Sequence, residues 1–434
     1  MTAQKGTPPT MLTSARAAAA ALAGLLLAGT VCAPALADET TPAATASPSP
    51  APTAPAALFG KGDPQYDGVW RQSLALTALA RHQAKPAESA VAWLTAQQCT
   101  DGGWPSFRAD ASVACDPKKE DSNATAVAVQ ALVALGGHQE RVGKAVRWLK
   151  EVQNADGSWA FNPGDPGDAN STGLAVDALL AAGTDPAQVA RGGRNAYDAL
   201  SSFQLGCASA PEKRGAFAYQ PEPDGSLKAN MQATAPAAFA AAGGRLPLGA
   251  PAAAKGAPAQ APACAEGSSD RTVPHADSAE AGAAYLAAQL GAGGGHLVLD
   301  TPGATPGPDF NSTAWAALAL IQAGHADQAA PAVGFLTANG RGWAAGPEGT
   351  NVAAAATLLL VADATGQDPK NVGGTDLVGL LAAAGPDSSS AAAVAPAKKK
   401  GGPSTLWVVG VGLLIGVGGG LLLSLQRNRR SPGA

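Results

Sequence analysis

The feature that most constrains this chain is a repeat. Two near copies, WLTAQQCTDGGW (93–104) and WLKEVQNADGSW (148–159), are followed by looser ones: FQLGCASAPEKRGAF (203–217), YLAAQLGAGGGH (285–296) and FLTANGRGW (335–343). After each, a polar triplet opens an Ala/Leu-rich segment: DSNATAVAVQAL (121–132), NSTGLAVDALL (170–180), NMQATAPAAF (230–239), NSTAWAALAL (311–320) and TNVAAAATLLL (350–360). Self-similarity of this kind marks stacked supersecondary units, each unable to bury its apolar face alone.

The periodicity within a unit is helical. Val127, Leu132 and Leu135 recur at helical spacing behind Asp121-Ser122-Asn123, and Val142, Val146 and Leu149 do so behind Gly136-Gly137. Ser, Asp, Asn and Thr at the starts are good N-caps, and Gly136, Gly183 and Gly324 are natural stops. These signals predict helices over 69–82, 86–98, 121–135, 139–152, 170–182 and 186–203. Six more are predicted over 230–242, 275–290, 311–323, 326–338, 350–365 and 374–384. The helices opened by a triplet are apolar round most of their circumference, so they form an inner ring. The alternating set carries charge, as in QERVGKAVRWLKEV, so it forms an outer ring. The fold expected is therefore all-α: an (α/α)6 toroid of six helical hairpins over residues 60–385, with a Pro/Ala/Gly-rich insertion at 244–273.

KAVRWLKEVQNADGSW (144–159) resembles the QW repeat of terpene cyclases, with basic, small, aromatic and aliphatic positions before Gln, Gly and Trp. The copy at 93–104 agrees from Trp93 onward, and the last three are degenerate. The chain thus resembles the prenyltransferase/squalene-cyclase repeat superfamily over nearly all of 60–385. That resemblance implies the (α/α)6 barrel but no single activity, because its members do unrelated jobs. A squalene-type cyclase protonates an alkene with a DxDD acid; the nearest match here, Asp165 to Asp168, has a different spacing in a Pro/Gly loop. Aromatic residues, which would line a carbocation pocket, are 5% of the chain. A prenyltransferase needs an Asp/Cys/His zinc site, and His82, His138, His275, His296 and His325 form no ligand spacing with cysteine. A thioester domain needs GCxEQ, which GCASAPE (206–212) lacks.

Binding is the reading left. In cobalamin carriers such as intrinsic factor and transcobalamin, which the chain resembles in layout, the inner-helix N-termini meet the corrin amides. The matching positions here are Asp121, Asn123, Asn170, Thr172, Asn230, Gln232, Asn311 and Thr313, with Trp315 one turn into its helix as a flat apolar face. Asp177, which interrupts the apolar run of its helix, faces either the interior or an inter-helix groove. These residues are the expected ligand site, with no catalytic or metal residue and a corrinoid as candidate ligand. The β-rich domain that closes those carriers over their ligand has no counterpart here, so a separate lid protein or a vitamin-uptake transporter is an expected partner. The competing classes are an extracytoplasmic terpenoid- or glycan-active enzyme and a protein-interaction module. Each triplet residue also has a purely structural reading as a helix cap, and the Gln/Gly/Trp positions are read as structural.

The ends predict placement. Lys5 and Arg16 precede the apolar run 17–31, and Ala35-Leu36-Ala37 fits a signal-peptidase site, giving a leader over 1–37. Residues 38–59 and 386–404 read as disordered linkers. Residues 405–426 read as a transmembrane helix followed by Arg427, Arg429 and Arg430 in a cytoplasmic tail over 427–434. The expected placement is a single-pass type I protein of the cell membrane with its body outside. A net charge of −4, with 14% charged residues, argues against a nucleic-acid partner. Cys99, Cys115, Cys207 and Cys264 then make an even, extracytoplasmic set. Of their three pairings, Cys99–Cys115 with Cys207–Cys264 is preferred.

Overall fold

A computed structural model describes residues 55–82, 86–248, 256–299, 305–347 and 349–386. The leader expected over 1–37, the transmembrane helix expected over 405–426 and the tail expected over 427–434 fall outside the described residues. Among the described residues no helix is long and apolar enough to cross a membrane.

The described chain is built of helices with two short hairpins. In order they are α1 (Pro64–Leu79), α2 (Glu88–Ala96), α3 (Ser122–Leu135), α4 (Gln139–Val152), α5 (Ala169–Ala181), α6 (Ala196–Ser202), α7 (Met231–Ala241), α8 (His275–Ala292), α9 (Phe310–Gln322), α10 (Ala326–Ala345), α11 (Val352–Thr365) and α12 (Leu377–Ala384). The odd-numbered helices pack each on the next, and α11 packs back on α1, which closes a ring. The even-numbered helices lie against them from outside. Burial follows composition: α3 and α5 are buried almost throughout, whereas α4 buries only Ala145, Val146, Trp148 and Leu149. One apolar core runs through the ring, from Leu58 and Phe59 to Leu381.

The recurring Gln and Trp hold the hairpins together. The Gln153 amide donates to the carbonyls of Gly157 (2.9 Å) and Val189 (3.2 Å), and the Trp159 indole donates to Leu149 (2.8 Å). Gln98 donates likewise to Gly102 and Arg141, and Trp104 to Leu94. Gln204 repeats the bond across the third turn, to Gly215 and Ser278. Each Gln therefore satisfies buried carbonyls of its own turn and of the next outer element, a requirement of any buried backbone.

The structure differs from the sequence expectation in four places. The predicted helix 186–203 is a 3-10 turn (Pro186–Gln188), a hairpin of β1 (Ala190–Arg191) with β2 (Arg194–Asn195), and the short α6. Its Gly192 and Gly193 take positive φ, which an α-helix excludes. Helix α10 continues to Ala345, beyond the end expected at 338. A second hairpin joins β3 (Leu297–Val298) to β4 (Pro308–Asp309) ahead of α9. Packing also begins before residue 60: Leu58 and Phe59 are buried, and the Gly60 amide donates to Ala384 (2.9 Å), so the first and last packed segments clasp each other. Both preferred disulfides, Cys99–Cys115 and Cys207–Cys264, are present.

The insertion after α7 does more than bulge outward. Leu246 and Leu248 are buried in the core, and the Leu246 amide donates to Gln130 Oε1 on α3 (2.7 Å). Arg81 donates to the Leu248 carbonyl, and Gln322 at the end of α9 donates to Ala242 (3.2 Å) and Gly243 (3.3 Å). Segment 243–248 thus plugs the ring at the C-terminal ends of the inner helices.

Candidate site at the inner-helix N-termini

Three inner helices open on one pattern: Asp121-x-Asn123-x-Thr125, Asp168-x-Asn170-x-Thr172 and Asp309-x-Asn311-x-Thr313. A fourth, Asn230-x-Gln232-x-Thr234, varies it. The structure gives the three positions three different jobs.

The first position is the N-cap. Asp121 accepts from the amides of Asn123 (2.8 Å) and Ala124 (3.0 Å) and from the Ser106 hydroxyl (2.9 Å). Asp168 accepts from the Ser171 amide (2.7 Å) and hydroxyl (2.8 Å). Asn230 caps α7 through the Ala233 amide, and Asp309 caps α9 through Ser312. The sequence placed these starts at Asn170 and Asn311, so it missed Asp168 and Asp309 as caps; an acid two residues ahead of each Asn was the available signal. Burial pushes the Asp121 carboxyl up to about 6 and that of Asp168 to about 7, against the amide and hydroxyl donors, which pull the other way. The Tyr219 hydroxyl adds to the donors around Asp168.

The last position ties each helix to the aromatic turn before it. Thr125 Oγ1 accepts from the Trp104 amide (2.9 Å), Thr172 from Trp159 (3.1 Å), Thr234 from Phe217 (2.9 Å) and Thr313 from Leu297 (2.9 Å). The same hydroxyls of Thr125, Thr234 and Thr313 donate to the carbonyl of their own cap residue. Thr172 and Thr313, expected at a ligand surface, are fully buried and occupied in this way. On α1, Gln72 takes the same place, accepting from the Phe59 amide (2.8 Å).

At Asn123, Asn170 and Asn311 the middle position carries a carboxamide that neither caps the helix nor ties the turn. Asn123 is buried, and its Oδ1 has no hydrogen-bond partner. Asn170, Gln232 and Asn311 are half-buried.

Deeper in, the residue five beyond each Thr is Gln130, Asp177, Phe239 or Leu318. Gln130 touches the plug at Leu246, and Gly244 of the plug lies so close to the Phe239 ring that a Cβ there would overlap it. Helix α5 packs between α3 and α7, and Asp177 at the same level lies near enough to Tyr197 of the outer helix α6 to add, after burial and Asp185, to the upward shift of that phenol's pKa. Asp177 is fully buried, neither carboxylate oxygen has a partner, and burial raises its pKa well above the usual range. Gln130 Nε2 is likewise unpartnered. Trp315 is buried in a T-shaped pair with Phe239 (5.5 Å, 76°), so it packs the interior rather than standing exposed at the mouth. Sequence spacing brought Asp177 into view; Gln130 escaped because a lone glutamine in an apolar run carries no distinctive pattern.

Residues 55–167 match the squalene-hopene cyclase C-terminal domain family. A stretch of 108 residues is 34% identical to the squalene–hopene cyclase of Zymomonas mobilis, covering 23% of this chain and 16% of that enzyme. This chain therefore spans a small part of the relative's length. A crystal structure of a protein from Actinoplanes aligns over 71% of this chain and 92% of its own, at 15% identity and a TM-score of 0.40. Residues 55–167 are thus similar to the C-terminal domain of squalene-hopene cyclases, the stretch of the chain over which that likeness is found.

Proposed function

We propose that the protein binds a neutral, hydrogen-bonding small ligand at the mouth ringed by the inner-helix N-termini and does not transform it. The observation that carries this reading is the middle carboxamide of the Asp-x-Asn-x-Thr pattern. Its neighbours cap the helix and tie the turn, whereas Asn123, Asn170 and Asn311 serve neither purpose. A carboxamide donates and accepts without charge, which suits a ligand bearing amides or hydroxyls round its edge. Such a rim over an apolar interior is the usual construction of a small-molecule site. A corrinoid, with amides on its periphery, is the first ligand to test. With the leader and anchor expected from sequence, this reading describes capture at the outer face of a membrane, for delivery to an importer or closure by a separate lid protein. Calorimetric titration with cobalamin and cobinamide tests it. Binding at micromolar concentrations supports a corrinoid site, and no heat and no thermal stabilisation at far higher concentrations rejects it.

A second reading is favoured by one observation. Asp177 is a fully buried acid whose carboxylate oxygens have no hydrogen-bond partner, and the matching relative is a squalene–hopene cyclase. A protonated carboxyl in an apolar interior is the sort of group that delivers a proton to an alkene. Incubating the protein with squalene and shorter linear polyprenes, and searching for isomers of unchanged mass, distinguishes the two readings. An isomer lost in Asp177→Asn would favour the enzyme.

A further inference from the structure

Beside the α3 N-cap, one cluster of reactive groups has no part in the proposed binding. Cys99 follows α2 and is buried, whereas Cys115 is half-buried in a loop whose adjoining residues are exposed. Arg108 holds that loop closed, donating to the carbonyls of Ala96 (3.2 Å), Gln98 (3.1 Å), Ala111 (2.7 Å) and Val113 (2.6 Å). Glu120, the residue before the α3 cap, is fully buried. One of its carboxylate oxygens and the two sulfurs all lie within 4.8 Å of one another. Neither oxygen has a hydrogen-bond partner of normal geometry. Gly103 leaves the room for this carboxyl, because a Cβ there would collide with it and with the Trp148 ring. Its side-chain neighbours are Asp101 and Trp148, and since burial of an acid costs stability, a carboxyl held against a disulfide calls for a chemical explanation.

We propose that Cys99–Cys115 exchanges with external small-molecule thiols and that Glu120 supplies the proton to the leaving sulfur. An external thiolate attacks the more accessible Cys115 Sγ and forms a new S–S bond to it. The Cys99–Cys115 bond breaks, its electron pair goes to Cys99 Sγ, and that sulfur takes the proton from the Glu120 carboxyl. A second thiolate attacks the external sulfur of the mixed disulfide and releases Cys115, which is protonated from water, as is Glu120. The balance is one protein disulfide and two thiols giving two protein thiols and one external disulfide. Burial first, and then the neighbouring Asp101 carboxyl, push Glu120 up to about 8, with Trp148 and Arg108 opposing. Glu120 therefore holds the required proton at neutral pH. The Cys207–Cys264 bridge belongs to no such cluster of three or more potential ligand groups among the described residues, which makes it an internal reference.

The test is to expose the folded, oxidised full chain to reduced glutathione, trap free thiols by alkylation, and follow each cysteine by peptide mass spectrometry. Reduction of Cys99–Cys115 is expected to outpace that of Cys207–Cys264 by about tenfold, and Glu120→Gln to slow it by about tenfold or more at pH 7. A carboxyl that merely packed the loop would act in the opposite sense, since loosening the loop exposes the bridge. An unchanged or faster rate in Glu120→Gln, or equal rates for the two bridges, overturns the proposal. A second measurement needs no variant. After correction for the thiolate fraction of glutathione, the wild-type rate should fall above about pH 8 as Glu120 ionises, and a flat profile would count against the assignment.

Discussion

At the scale of single residues, chemically similar side chains at neighbouring positions have unlike roles. In Asp168-x-Asn170-x-Thr172 the acid caps, the hydroxyl anchors Trp159, and only the amide is left over. Thr172→Val keeps the shape but strands the buried Trp159 amide, so a loss of about 1–3 kcal/mol in denaturant unfolding is expected. Asp177 makes a pH prediction. Its folded pKa is raised, so the folded protein holds a proton that the unfolded chain gives up above about pH 4. Stability from this group is fully present below that pH and is lost as pH rises toward the folded pKa. Asp121 and Asp168 act in the same direction, completing their loss near pH 6 and 7 respectively. Asp177→Asn should therefore melt higher than wild type at pH 8, with the gap shrinking at pH 5. A gap independent of pH would mean that Asp177 is not the buried acid described. The identity of these groups was legible in the sequence, but their division of labour was not, because capping and tying are matters of which side chain meets which amide.

At the scale of elements, the sequence was most informative where hydrophobic period and caps agreed. The boundaries read for the second inner and outer pair, 121–135 and 139–152, match α3 and α4 to within one residue. It failed at 186–203, where apolar residues at near-helical spacing flank Gly192-Gly193, and the glycine conformation decided the outcome. It also failed at α10, which runs on through Gly340 and Gly342 because neither is driven out of the helix. The turns between elements depend on glycine in a sharper way. Gly157 has φ +85°, and a Cβ there would come within 2.6 Å of the Asn195 carbonyl. Gly157→Ala should thus destabilise by more than the roughly 1 kcal/mol of a simple left-handed penalty. Thermal unfolding of that variant, compared with an alanine at the unencumbered Gly164, checks the claim; equal shifts would show that the close approach does not matter.

At the scale of the whole molecule, the repeat announced a ring of hairpins, and the ring is closed by contact of α11 with α1. Both disulfides are the pairing preferred among the three that the cysteine count allowed. The plug did not, since nothing in a Pro/Ala/Gly-rich insertion says that Leu246 will reach Gln130 across the ring. That plug leaves the inner-helix N-termini as the end at which a ligand meets polar groups, and there the central claim can be tested directly. Asn123, Asn170 and Asn311 are changed together to Ala, and cobinamide binding is titrated by calorimetry beside wild type, with circular dichroism as the control. Three lost hydrogen bonds at about 1 kcal/mol each predict a loss of affinity of about 100-fold with the helical signal retained. Undiminished affinity in a folded triple variant would contradict the account.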